Sequence, residues 1–170
     1  INQGTQLAGT GTQDSALAIG GFNRSCCTEE YDGTSWSSLI AFPVSRCRLA
    51  AAGTVNAGLA FAGYPSSTRT YSYDGISWEE VNCLNTFRCG LGGAGIQNSA
   101  LAFGGYSNSG LLGSTSYYDG VAWTTTGNLI TSRQKLGGGI TSPSCAVAFG
   151  GAGYGTCTEE LLGTEVYSKG

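Results

Sequence analysis

Three nearly identical phrases, TEEYDGTSW (28–36), TYSYDGISW (70–78) and TSYYDGVAW (115–123), recur along 170 residues. Their tryptophans, Trp36, Trp78 and Trp123, stand 42 and 45 positions apart. A fixed period of this size constrains a chain strongly, because each copy is one supersecondary unit that buries its apolar face only against a neighbouring copy. Two more phrases keep the period. SALAIGGF (15–22), AGLAFAGY (57–64), SALAFGGY (99–106) and CAVAFGGA (145–152) mark one half of each unit. QLAGTG (6–11), RLAAAG (48–53), GLGGAG (90–95) and KLGGGI (135–140) precede them. The chain therefore divides into four units of about 42 residues, roughly 1–42, 43–84, 85–129 and 130–170.

Each unit reads as four short strands, a to d. Strand a is built from small residues, strand b is a short apolar run ending at glycines, strand c leads into Tyr-Asp-Gly, and strand d carries the Trp. Asp-Gly between two strand-like runs is a hairpin signal, because a type I′ turn needs φ > 0 at both central residues. Gly33, Gly75 and Gly120 are thus expected at positive φ. The composition agrees with strands and tight turns: Gly supplies 29 residues, Met is absent, and only 11% of residues are charged, against about a quarter in average soluble domains. Four-stranded units at this period imply propeller blades, with small residues at the crowded inner wall and Trp where blades splay.

The order Arg, small apolar strand, ALAFGGY, Tyr-Asp-Gly, Trp resembles the kelch-type propeller repeat. LNTFRCGLGGAGIQNSALAFGGY (84–106) followed by YDGVAW is similar in wording to tandem repeats of bacteriophage tail-fibre-type and other virion-associated proteins. The resemblance spans nearly the whole chain and implies an all-β propeller-like array whose b–c and d–a loops open on one end. Kelch propellers usually have six or seven blades and fewer cysteines than this chain. The family also includes copper radical oxidases with histidine and tyrosine ligands. Histidine is absent here, so that chemistry does not carry over, nor does Ser-His-Asp or Cys-His catalysis or any His-bearing metal site.

The remaining candidates each have a plain alternative. GLGGAG satisfies a dinucleotide fingerprint, but it runs on into a strand instead of opening a helix, so it reads as strand a. Glu29-Glu30, Glu79-Glu80 and Glu159-Glu160 are adjacent pairs, which point to opposite faces of a strand and read as solvated faces. Arg46, Arg88 and Arg133 share one repeat position before strand a. They either satisfy carbonyls or a carboxylate of the next blade, or ring one mouth of the axis as an anion site. Phe22, Tyr64 and Tyr106 follow the glycines of strand b, with Tyr154 nearby in the fourth copy. These rings either pack blade on blade or stack on sugars at the loop face. Asn23 opens an N-R-S glycosylation sequon.

Seven cysteines occur without a C-x-x-C pair, which disfavours a zinc or redox site. In the kelch-like topology Cys26, Cys27 and Cys157 fall in b–c loops and Cys47, Cys83 and Cys89 near d–a connections, all at one end. Disulfides are expected among these six, with Cys145 free, although a wholly reduced chain is the alternative. The net charge of −3 with scattered basic residues argues against nucleic acid, and no apolar run reaches membrane-spanning length. The chain opens at Ile1 without Met or a signal-peptide pattern, which reads as a processed or partial polypeptide.

Aligning LLGSTSYYDG (111–120) with LLGTEVYSKG (161–170) stops the fourth unit before its strand d. Strand c of that unit would then be an open edge, covered by a neighbouring chain or by further blades. The functional expectation is a non-catalytic structural or adhesive module of a virion or extracellular appendage. It needs no cofactor and assembles with copies of itself or other chains. The alternative is a lectin-like propeller that binds surface glycans through its aromatic loop face.

Overall fold

A computed structural model of the chain describes residues 5–22, 26–65, 67–142, 145–153, 158–162 and 165–169. All described regular structure is β. Blade one comprises β1 (Ala8–Thr12), β2 (Ser15–Ile19), β3 (Thr28–Tyr31) and β4 (Trp36–Ser38). Blade two comprises β5 (Ala50–Thr54), β6 (Ala57–Phe61), β7 (Thr70–Tyr73) and β8 (Trp78–Val81). Blade three has β9 (Gly92–Ile96) and β10 (Ser99–Phe103), then a short ribbon of β11 (Tyr106–Ser107) and β12 (Gly110–Leu111), then β13 (Ser114–Tyr118) and β14 (Trp123–Asn128). In blade four β15 (Arg133–Gln134) precedes β16 (Gly137–Ser142) and β17 (Cys145–Phe149), and β18 (Ala152–Gly153) precedes β19 (Thr158–Leu162) and β20 (Glu165–Lys169). The four blade sheets are antiparallel meanders arranged as a four-bladed β-propeller.

The inner strands β1, β5, β9 and β16 line a narrow cavity through Gly9, Ala52, Gly93, Gly138 and their neighbours. Small residues are required there. A Cβ on Gly53, at φ +102°, would collide with the Ala57 carbonyl oxygen. The core lies between blades: Leu17, Ile19, Phe42 and Tyr71 pack at the first junction, Phe61, Leu91, Tyr118 and Trp123 at the second, and Phe103, Leu136, Ala148 and Leu161 at the third. Inner strands touch in chain order, β1 on β5, β5 on β9 and β9 on β16. No comparable contact joins β16 to β1 among the described residues.

Two expectations are corrected. The c–d hairpins are not type I′ turns centred on Asp-Gly. Gly33, Gly75 and Gly120 have φ of +92°, +92° and +94°, as expected, but the aspartates before them do not have positive φ. Instead the Asp32 carboxylate accepts the N–H groups of Thr34 and Ser35 at 2.8 Å each, and Asp74 and Asp119 do the same. Each Asp side chain takes over the turn's hydrogen bonds, an Asx turn. These N–H donors, led by residues Ser35, Ser77 and Ala122, hold all three carboxyls below their ordinary pKa.

The second correction concerns blade four, which is not short of a strand. Ala148 pairs with Glu159 as Ala18 pairs with Glu29, and Leu161 pairs with Val166 as Tyr31 pairs with Trp36. TEELL (158–162) therefore takes the register of TEEYD (28–32), and Leu161, not Ser168, occupies the position of Tyr118. This register brings Glu159 to Arg133, an ion pair buried on both sides. The expected open edge at strand c is consequently covered by β20.

Candidate functional site: the loop-end rim and the two end faces

The b–c and d–a connections share one end, as expected: the Phe42 N–H donates to the Cys26 carbonyl at 2.8 Å and the Leu84 N–H to the Thr68 carbonyl at 2.7 Å. At this end Gln6, Arg48, Gly90 and Lys135 occupy one repeat position, and all four adopt φ between +55° and +62°. Arg48 N–H donates to the Gln6 carbonyl at 2.8 Å, Gly90 N–H to Arg48 at 2.8 Å, and Lys135 N–H to Gly90 at 2.6 Å. A ladder of backbone hydrogen bonds thus runs around the mouth, from the Gln6 end to the Lys135 carbonyl. Inside it lies a cavity of about 340 Å³ lined by these residues and by Leu7, Leu49, Leu91 and Leu136.

Arg46, Arg88 and Arg133 do not ring this mouth. All three are buried and are held within their own blades, not the next one. Arg46 Nη1 donates to the Ala62 carbonyl at 3.1 Å, and its guanidinium lies 5.9 Å from the Tyr71 ring centroid. Arg88 donates to the Ser114 carbonyl at 2.6 Å and to Ser116 Oγ at 2.5 Å. Arg133 donates to the Gly150 carbonyl at 3.2 Å and pairs with Glu159. Burial pulls the Arg88 guanidinium down to about 10, so it remains charged at neutral pH. The expectation of solvated Glu pairs also fails in part, since Glu29 and Glu159 are buried. Glu159 accepts the Ile130 N–H at 2.6 Å as well. Glu80 is exposed and pairs with Arg69 at 3.3 Å. The cations at the mouth are Arg48 and Lys135, two residues beyond the predicted position.

Phe22, Tyr64 and Tyr106 are solvent-exposed, at 53%, 53% and 43%. Each faces the strand-a approach through a β-bridge, Thr5 to Phe22, Cys47 to Tyr64 and Cys89 to Tyr106. Packing between blades is therefore not their role. In blade four the same position is Ala152, paired with Gln134. Tyr154, Cys157 and the sequon Asn23 lie outside the described residues. No disulfide joins Cys26, Cys27, Cys47, Cys83, Cys89 or Cys145 to one another among the described residues. Cys47 and Cys89 sit buried at equivalent positions of successive blades, and burial raises the Cys47 thiol pKa. No group of three metal-binding side chains occurs among the described residues.

A joint between blades went unread in the sequence. The Trp78 Nε1–H of blade two donates to Thr28 Oγ1 of blade one at 3.2 Å. The Trp123 Nε1–H of blade three donates to Thr70 Oγ1 of blade two at 3.0 Å. Trp123 also meets Phe61 edge-on, with ring centroids 4.9 Å apart. These threonines open the same repeated phrase that carries the Trp, which is the signal that was available. Thr115 of blade three is equally buried, but its hydroxyl has no hydrogen-bond partner among the described residues. Blade four has Val166 where the Trp would stand. At the two ends of the array the joint is half built. Trp36 is 38% exposed against 4% for Trp123, and Phe149 is 49% exposed against 0% for Phe103.

The architecture defines the class, an all-β four-bladed propeller. Compared with known protein families and with curated proteins, the sequence matches none.

Proposed function

We propose that this propeller is a non-catalytic structural or adhesive module of a virion or extracellular appendage, built from kelch-type blades and assembling with copies of itself or other chains. The observation that carries this reading is the half-built joint at each end of the array, where side chains that are buried at internal junctions lie open. The repeated charged side chains support it. Arg46, Arg88 and Arg133 hold their own blades together and are turned away from solvent. Sedimentation velocity across a wide concentration range tests the reading. The weight-average mass is expected to rise above the 17.4 kDa of one chain, and a constant single-chain mass would overturn it.

A second reading, glycan binding, is favoured by the exposed Phe22, Tyr64 and Tyr106, with the Arg48 guanidinium 5.9 Å from the Tyr64 ring centroid. Exposed aromatic faces stack on sugar rings while neighbouring polar groups take the hydroxyls. A glycan array should then show binding that Tyr64→Ala and Tyr106→Ala abolish. Binding unchanged in both variants would sink this reading.

A further inference from the structure

We propose that copies of this chain join head to tail, the Trp36 face of blade one on one copy docking onto the Phe149–Thr158 face of blade four on another. This rests on the assembly reading above and names its interface. The template is inside the molecule. At the second junction an incoming Trp donates its indole N–H to a threonine hydroxyl and sets its ring edge-on against the phenylalanine that ends strand b. The first junction repeats the indole-to-threonine bond.

Blade four presents the receiving half. Phe149 takes the position of Phe61 and Phe103, and Thr158 that of Thr28, Thr70 and Thr115. The internal equivalents are buried, whereas Phe149 and Thr158 are exposed. The Lys135 carbonyl ends the mouth ladder on the same blade. Blade one presents the inserting half: Trp36, whose ring lies 5.3 Å from that of its own Tyr31, exposed Leu7, and Gln6, where the ladder starts. The third junction has Val166 where the Trp would stand, and Thr115 Oγ1 has no hydrogen-bond partner among the described residues. Both halves lie on one chain and differ from each other, so the contact is heterologous. It closes into a ring if the rotation between copies permits and otherwise propagates as a filament.

The test uses two blocked variants of the whole chain, Trp36→Ala without the inserting ring and Phe149→Glu with a charge in the receiving face. Both positions are solvent-exposed in the single chain, and circular dichroism verifies that each variant folds. By sedimentation velocity each variant alone should associate at least about 30-fold more weakly than the wild type, as expected for loss of a central aromatic anchor. Mixed together, they retain one intact joint and should form a 1:1 dimer that grows no further. With a wild type that assembles, two results overturn the proposal: variants that assemble as the wild type does, or blocked variants that fail to pair when mixed. In the first case the assembly reading survives and the interface lies elsewhere. A wild type of single-chain mass at every concentration overturns both, and assigns the end faces to another occupant such as additional blades.

Discussion

Thr70 and Thr115 occupy the same position in successive blades and are both buried, yet replacing each with valine should move stability in opposite directions. Thr70 Oγ1 accepts the Trp123 indole N–H at 3.0 Å in a buried setting. Valine there removes the acceptor and leaves a buried donor unpaired, at a cost of about 1–3 kcal/mol. Thr115 Oγ1 has no hydrogen-bond partner among the described residues, so its desolvation is uncompensated, and a methyl of nearly the same volume should stabilise by about 1 kcal/mol. For a chain of this length each kcal/mol shifts Tm by about 2–4 °C. Differential scanning calorimetry should therefore show Thr70→Val falling by roughly 4–8 °C for a mid-range cost of about 2 kcal/mol. Thr115→Val should rise by about 2–4 °C. Trp123→Phe keeps most of the ring area but loses the donor, and should be non-additive with Thr70→Val by about 1 kcal/mol in a double-mutant cycle. Equal shifts of the same sign for the two valine variants would refute the joint as the reason these threonines are buried.

Trp123→Ala opens a cavity between blades two and three and should cost about 3–5 kcal/mol. Trp36→Ala, half exposed on the first blade, should cost about 1 kcal/mol, mainly its stacking on Tyr31; urea midpoints compare the two, and equal losses would contradict the uncovered face. Arg88→Ala strands the Ser114 carbonyl and the Ser116 hydroxyl and should lower stability by about 3 kcal/mol. Arg88→Lys should rescue little, because one ammonium cannot reach both serines in the guanidinium's fork, and a lysine variant of wild-type stability would count against that reading. The lowered pKa values of Asp32, Asp74 and Asp119 make their contribution complete above the ordinary carboxylate range near about 3.9 and lost as pH falls through the native values. Replacing all three with Asn, which keeps an acceptor but cannot titrate, should flatten the acid side of the stability profile; an unchanged slope below pH about 4 would show that these turns do not set it.

Most of the blade was readable along the chain. The positive φ of Gly33, Gly75 and Gly120 and the small residues of β1, β5, β9 and β16 follow from local rules, whereas the clustering of two loop types at one end was implied by the kelch resemblance. Strand periodicity, glycine conformation and turn length act within a few residues; the phrases of strands a and b state them four times and the Tyr-Asp-Gly hairpin three times. The register of blade four was not readable from the LLG phrase, since Leu111 ends β12 whereas Leu161 and Leu162 lie in β19. What separates the two registers is the burial of Glu159 on Arg133, 26 residues away, and no local rule weighs that pair.

The site divides in the same way. Position in the repeat correctly grouped Arg46, Arg88 and Arg133, and grouped Phe22, Tyr64 and Tyr106, because equivalent positions in stacked blades have equivalent surroundings. Which group faces solvent was decided by tertiary structure. The guanidiniums reach inward to carbonyls on their own sheets, while the rings stand outside the mouth ladder. The sequence by itself determined a four-unit β array with Trp-bearing hairpins, since those features depend on spacing and turn chemistry. Only the folded molecule decided that each Trp joins its blade to the threonine of the one before, because that bond spans 50 residues or more and exists only once the blades are stacked.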